Sequence, residues 1–258
     1  MTCHSEATLQ QRAKILGLHG LLAHWDELRD RDWLPNLLDL EETVRARRSL
    51  ERRIRHSRIG RYKTMADFDW NWPEHIDRDH VEDLFRLAWL DEAANVVLVG
   101  PNGVGKTMIA KNLAHTALLH GASVKCVSAG ELLNDLAACD GAAALQRRLA
   151  HYLRPRLLCI DELGYLSYDN RHADLLFELI SRRYTQKSIL ITTNKPFAEW
   201  NDVFPSAGCV VTLIDRLVHN AEILQIKGDS YRLKEAKERS AERAGKRKSL
   251  RTARKAGA

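Results

Sequence analysis

A chain of 258 residues with 45% apolar and 29% charged residues has enough hydrocarbon for a sizeable core under a charged surface, which excludes intrinsic disorder and collagen-like repeats. Lys and Arg outnumber Asp and Glu by 40 to 34, a net charge of +6, and no uncharged apolar run approaches the roughly 18 residues of a membrane helix. The opening MTCHSEATLQQR lacks a hydrophobic signal core, so a cytoplasmic protein with no membrane partner is expected.

Residues 7–60 read as helical: Leu9, Ala13 and Leu16 share a face, Leu21 to Trp33 follow, and a helix opens at Pro35 with Leu37, Leu40 and Val44 in register. Arg45 to Lys63 holds nine Lys/Arg and one Glu, with Ala46, Leu50 and Ile54 recurring every four residues as a narrow apolar seam on a basic helix. Arg61 to Pro73 (RYKTMADFDWNWP) is aromatic and turn-rich and reads as a linker lying on the next domain, ahead of a helix from about Arg78 to Leu90. The organisation expected is a small helical domain over 1–63, an α/β domain over 64–233, and a tail over 234–258. That tail has ten Lys/Arg, three Glu and Leu250 as its one large aliphatic residue, a composition expected to be disordered. Concentrated basic blocks favour a polyanion, most commonly nucleic acid, or else form solvated faces.

From Asn95 short apolar runs alternate with helical stretches, the signature of a parallel α/β sheet. Five strands are predicted: 95–100, 123–128, 157–161, 188–193 and 222–226. The scattered cysteines Cys3, Cys126, Cys139, Cys159 and Cys209 form no C-x-x-C pair, so neither a disulfide framework nor a zinc site is encoded.

Gly100-Pro101-Asn102-Gly103-Val104-Gly105-Lys106-Thr107 closes the first strand and opens a helix, the setting that a G-x-x-x-x-G-K-[ST] loop requires. Glycines let the backbone wrap phosphates with N–H groups and a helix N-terminus facing the anion. Lys106 is placed to reach the β- and γ-phosphates, and Thr107 to offer a hydroxyl to Mg²⁺. LLCIDE, 157–162, is a buried strand ending in adjacent carboxylates. Asp161 is expected to hold Mg²⁺ directly or through water, and Glu162 to polarise the attacking water. Asp161-Glu162-Leu163-Gly164 also fits the D-x-x-G of GTPases, and Asn194-Lys195-Pro196 begins their guanine reader, but Phe197 stands where that reader needs a carboxylate. Adenine is therefore expected, so that the ligand is ATP. Asn194 is read as a polar sensor near the γ-phosphate, with a strand-ending turn as its alternative.

With GPNGVGKT, LLCIDELGY, ILITTNKPFAEW and IDRLVHNAEILQIKGDSYR in this order, the chain resembles the IstB-type transposition helper ATPases of bacterial insertion sequences, AAA+ proteins close to the DnaC-type helicase loaders. The resemblance covers roughly residues 9 to 233. It implies a P-loop AAA+ core with a five-stranded parallel sheet behind a helical N-terminal domain for oligomerisation and partner binding. It further implies an ATPase that forms a homo-oligomer on duplex DNA, selects target DNA and recruits a transposase encoded by the same element. By resemblance, Lys106, Thr107, Asp161, Glu162 and Asn194 take the family's catalytic roles. Arg216 takes that of a finger acting on a neighbour's ATP, and Arg232 that of a second sensor on its own nucleotide. On the residues alone, Arg216 reads as a partner of Asp215 and Arg232 as the start of the basic tail.

The chain departs from the general AAA+ plan in having no helical lid domain after the last strand. No helix-turn-helix or zinc motif appears, so DNA contact is expected to be electrostatic, with Arg147, Arg148 and Arg154 as candidates or as a solvated face. The rivals are a replicative helicase loader with the same core, a DNA-binding scaffold using ATP as an assembly ligand with little turnover, and a small-molecule P-loop kinase.

Overall fold

The computed structural model describes residues 6–165, 168–204, 208–240 and 243. The chain divides into two compact units, Met1–Arg55 and the remainder, the division falling before the position near residue 64 expected from the linker's composition.

The first unit contains α1 (Glu6–Ile15), α2 (His19–Ala23), α3 (Trp25–Leu28) and most of α4 (Leu34–Ser57), whose last residues belong to the second unit. Leu9, Ala13, Leu16, Trp25, Leu34 and Leu38 form its core, so the expected α1 face is the buried one. Arg12 fastens α1 to α4 through Asp39 at 2.5 Å and Glu42 at 2.8 Å. On α4 the outcome differs: Leu37, Leu40 and Val44 are exposed while Leu34 and Leu38 are buried. Of the basic seam, Leu50 and Ile54 are half-buried and Ala46 is exposed.

In the second unit the linker carries one 3₁₀ turn, Met65–Asp67, before α5 (Arg78–Leu84) and α6 (Ala88–Asp91). One continuous helix was expected here. Leu87 takes a left-handed φ of 62°, and Trp89 Nε1 donates to the Leu84 carbonyl at 2.8 Å, satisfying the broken helix end.

The remaining elements are β1 (Asn95–Val99), α7 (Lys106–Leu119), β2 (Val124–Ser128), α8 (Ala129–Ala137), α9 (Ala142–Leu153), β3 (Leu157–Leu163), α10 (Asn170–Arg183), β4 (Ser188–Thr193), a 3₁₀ turn (Phe197–Glu199), α11 (Trp200–Val203), α12 (Val210–Val218) and β5 (Ala221–Gln225). The sheet is five-stranded and parallel throughout, in the order β2-β3-β4-β1-β5. β1 and β4 are buried along their whole length, which explains the apolar runs VVLV in β1 and ILI in β4. The chain leaves β1 for β2 at one edge and returns, so the carboxyl ends of β1, β3 and β4 converge, the place where α/β sheets open a crevice. A core of Leu132, Leu133, Leu158, Ile160, Leu176, Ile191, Trp200, Leu213 and neighbours packs helices onto the sheet.

Arg183 is buried and acts as a clip. Its guanidinium donates to the carbonyls of Tyr152 at 3.0 Å, Pro155 at 3.0 Å, Arg156 at 3.1 Å and Ser188 at 2.7 Å, joining the approach to β3 with the start of β4. Burial pulls its pKa down to about 10, so it stays charged at neutral pH and its donors remain available.

After β5, residues 231–240 are helical. Disorder expected from Lys234 onward does not hold for 234–240, because Lys234 and Glu235 find partners far upstream. The rest of the expected tail, 241–242 and 244–258, lies outside the described residues. Among the described residues there is no separate helical domain after β5, and no helix is long and apolar enough to cross a membrane.

Candidate nucleotide site

β1 ends at Val99, and Gly100 turns the chain into the loop. The Gly100 N–H donates to the Thr193 carbonyl at 3.1 Å, and a Cβ there would fall 2.3 Å from the Ile226 carbonyl oxygen, so only glycine fits. Gly105, at φ 101°, delivers the chain into α7, whose first residue is Lys106. Lys106 is buried, and its Nζ donates to the carbonyls of Gly100 at 2.6 Å and Pro101 at 2.7 Å. Burial pulls its pKa down to about 8; Asp161 and Glu162 oppose this and Arg232 adds to it. A cation held mainly by neutral carbonyls among neighbours of both signs is suited to receive a phosphate anion.

Thr107 Oγ1 donates to Asp161 Oδ1 at 3.0 Å. The same carboxylate oxygen accepts from Thr192 Oγ1 at 2.5 Å, and Thr192 Oγ1 in turn accepts the Glu162 N–H at 2.9 Å. One hydroxyl on β4 thus ties together both acidic residues at the end of β3. The β3–β4 register slips between Ile160 and Leu163, and Glu162 takes a left-handed φ of 63°. Such a backbone is uncommon for a residue with a side chain, and outliers of this kind cluster at functional sites. Asn194 Oδ1 is buried without a protein partner, which leaves an acceptor for a water or ligand.

Lys106, Thr107, Glu162, Thr192 and Asn194 line a cavity of about 630 Å³, within the ordinary range for small-molecule sites. Its wall includes Asn102 to Met108, Glu162, Thr192, Asn194 and Arg232, and also Tyr62, Phe68, Trp72 and Tyr231. The structure therefore gathers Lys106, Thr107, Glu162, Asn194 and Arg232 into one cavity, with Asp161 bonded to its wall. Lys195 is turned to Glu199 at 2.7 Å and Phe197 packs on Trp200, so neither joins the cavity wall as a base reader would.

Arg216 is not among the lining residues. Its guanidinium lies 4.7 Å from the Phe177 ring and donates to the Ser181 hydroxyl, rather than pairing with Asp215. Arg147, Arg148 and Arg154 are exposed on or after α9, and Arg148 pairs with Asp135 at 3.4 Å. Sequence reasoning missed Thr192 and the cavity role of the linker aromatics. For the aromatics a signal existed in RYKTMADFDWNWP; for Thr192 there was none beyond its place before Asn194.

The strand order, phosphate loop, paired carboxylates and buried polar strand end define a P-loop nucleotide-binding protein of the AAA+ class. Residues 8–239 match the profile of the IstB-like ATP binding protein family, and the chain belongs to that family. It is 36% identical over 235 residues to a protein of Pseudomonas aeruginosa named as an ATP-binding protein of insertion sequence IS21, spanning 91% of this chain and 84% of that one. It is 33% identical to a protein of Geobacillus stearothermophilus named likewise for insertion sequence IS5376, spanning 79% of this chain and 81% of that one. The fold is similar to the crystal structure of DnaI, at a TM-score of 0.52 and 19% identity over 67% of this chain and 91% of that one. It is also similar to AMPPCP-bound DnaA from Aquifex aeolicus, at a TM-score of 0.50 and 18% identity over 68% of this chain and 56% of that one.

Proposed function

We propose that this chain is an ATP-hydrolysing transposition helper that assembles on duplex DNA, selects target DNA, and recruits and stimulates the transposase of its own element. The observation that carries the reading is the linkage of Thr107, Asp161, Thr192 and the Glu162 backbone beside a lysine-bearing phosphate loop. Family membership and the relatives' names support ATP as the ligand.

In this reading the Gly100 to Thr107 backbone cradles the phosphates and Lys106 leaves its carbonyl partners for them. The hydroxyl of Thr107 and the carboxylate of Asp161 are hard oxygen donors already 3.0 Å apart, a pair that fits Mg²⁺ and would hold it. Mg²⁺ bound there would supply positive charge against the phosphate oxygens. Glu162 takes a proton from the attacking water, and the unpartnered Asn194 Oδ1 orients that water. Arg232 faces its own subunit's nucleotide, and Arg216 serves a neighbour's. Electrostatic contact with DNA phosphates is assigned to the exposed Arg147, Arg148 and Arg154. Self-association is assigned to the N-terminal helices, where Trp33, Leu37, Leu40 and Val44 are exposed at a spacing of four, three and four residues on and before α4.

The test separates binding from chemistry. Lys106→Ala is expected to weaken nucleotide binding and abolish ATP-dependent assembly on DNA, whereas Glu162→Gln is expected to bind ATP, stay assembled and release little phosphate. Phosphate release by Glu162→Gln at the wild-type rate would remove Glu162 from its role.

A further inference from the structure

Arg232 reaches the nucleotide cavity although no separate helical domain follows β5 among the described residues. A short stretch after β5, folded back on the linker, holds it there. Lys227 and His75 form an antiparallel bridge with backbone bonds of 2.9 and 3.2 Å. Gly228, at φ 142°, lets the two segments cross, since a Cβ there would lie 2.9 Å from the Glu74 nitrogen. Trp72 Nε1 donates to the Asp229 carbonyl at 2.9 Å, and the Tyr231 N–H donates to the Gly103 carbonyl at 3.0 Å, a bond made directly on the phosphate loop.

The start of the 231–240 helix then carries two adjacent charges of opposite sign, each with a linker partner. Lys234 Nζ lies 3.2 Å from Asp69 Oδ2 and sits 4.5 Å from the Trp72 ring centroid and 5.2 Å from that of Tyr231. Glu235 Oε1 accepts from Lys63 Nζ at 2.9 Å. The arrangement is self-checking, because exchanging the partners would set Lys234 against Lys63 and Glu235 against Asp69. The guanidinium of Arg232, in the same turn, pairs with no carboxylate among the described residues and is free for an anion.

We propose that Lys63, Asp69, Lys234 and Glu235 form a crossed brace that positions Arg232 at the nucleotide's phosphates, so that one helical turn locked to the linker does the work of a lid domain. The proposal rests on the ATP reading above. Each pair is partly solvated and weak alone. Acting together with the Tyr231 bond to Gly103, the pairs set the direction of a single turn. These four are positioning residues, whereas Arg232 touches the ligand.

The experiment uses the full chain and two readouts, affinity for a fluorescent ATP analogue and kcat for phosphate release. Lys63→Glu and Glu235→Lys are each expected to reduce affinity or kcat by about three- to tenfold, with an unchanged thermal midpoint. The Lys63→Glu/Glu235→Lys exchange is expected to recover most of the loss. In an Arg232→Ala background the single reversals should have little further effect, because residues acting through one group are not additive. Lys63 and Glu235 also line the cavity, and a direct contact of theirs with the ligand would persist in that background. Lys234→Gln tests the other arm should a reversal fail to fold. Reversals without effect, an exchange that does not recover, or undiminished effects without Arg232 would each overturn the brace. A wild-type chain that binds no nucleotide would overturn the ATP reading and the brace with it, whereas normal wild-type binding and turnover with unmoved variants would overturn the brace alone.

Discussion

Thr192 places one oxygen between two carboxylate-bearing residues, donating to Asp161 and accepting from the Glu162 backbone. Valine would keep the β-branched shape in a buried strand while removing both bonds, freeing Asp161 to rotate away from Thr107 and relaxing the turn that aims Glu162. Thr192→Val is expected to lower kcat about 10- to 100-fold, the usual cost of losing a group that orients a ligand-holding side chain, while ATP affinity changes much less because the Lys106 loop is untouched. Equal losses in both would return Thr192 to an ordinary packing role. The asymmetry between Thr192 and its neighbours also shows what a sequence reveals at this scale. Lys106, Thr107, Asp161 and Glu162 were legible because spacing after a strand is itself a chemical signal. Threonine is an unremarkable residue in a strand, and its function appears only once pairing sets β4 beside β3 with a slipped register. Arg216 was opaque for the same reason, since its partners Phe177 and Ser181 lie far away along the chain.

Elements were legible where burial dictated the sequence. Strands β1, β3 and β4 stood out because a parallel strand covered on both faces is a short apolar run between loops, whereas the edge strand β5, exposed at Glu222, Ile223 and Gln225, showed only as a brief run around Ile223 and Leu224. The break between α5 and α6 was hidden, since Val81, Leu84, Leu87 and Leu90 are all buried and the apolar pattern runs through the left-handed residue. Order over 231–240 was hidden too, because ion pairs and aromatic rings supply it rather than aliphatic burial. On α4 the period was readable and the facing was not. Leu37, Leu40 and Val44 do recur helically, yet Leu34 and Leu38 are the residues turned into the core. If a second copy covers the outward stripe, Leu40→Glu should weaken self-association in sedimentation by at least tenfold, by placing a charge in an apolar contact. Its effect on the thermal midpoint should be small, since Leu40 is 64% exposed. Leu38→Ala should do the reverse, costing about 2–5 kcal/mol of stability through a cavity. A Leu40→Glu chain that assembles as the wild type does would move the contact elsewhere.

At the scale of the whole molecule, Arg216 poses the sharpest question, because the cavity contains every other candidate catalytic side chain at its wall or bonded to it, and Arg216 is absent. Its guanidinium is half-buried over Phe177 with a hydroxyl partner, an arrangement that holds the charge rigidly without neutralising it. A fixed, planar, permanent cation presented at a surface is suited to the charge that spreads over a transferring phosphoryl group on an adjoining subunit. Arg216→Ala should accordingly bind ATP nearly as well as the wild type and hydrolyse it poorly, with DNA present or absent. Loss of activity alone would not distinguish a shared site from local damage, so the decisive measurement mixes two variants. In a mixed assembly of Arg216→Ala and Glu162→Gln, some sites combine the intact Glu162 of one subunit with the intact Arg216 of its neighbour. Phosphate release from the mixture should then exceed that of either variant alone, reaching at most about a quarter of the wild-type rate if subunits mix randomly and each site draws on two neighbours. An unchanged rate in demonstrably mixed assemblies would confine Arg216 to its own chain, where its contacts with Phe177 and Ser181 would make it a clasp between α10 and α12.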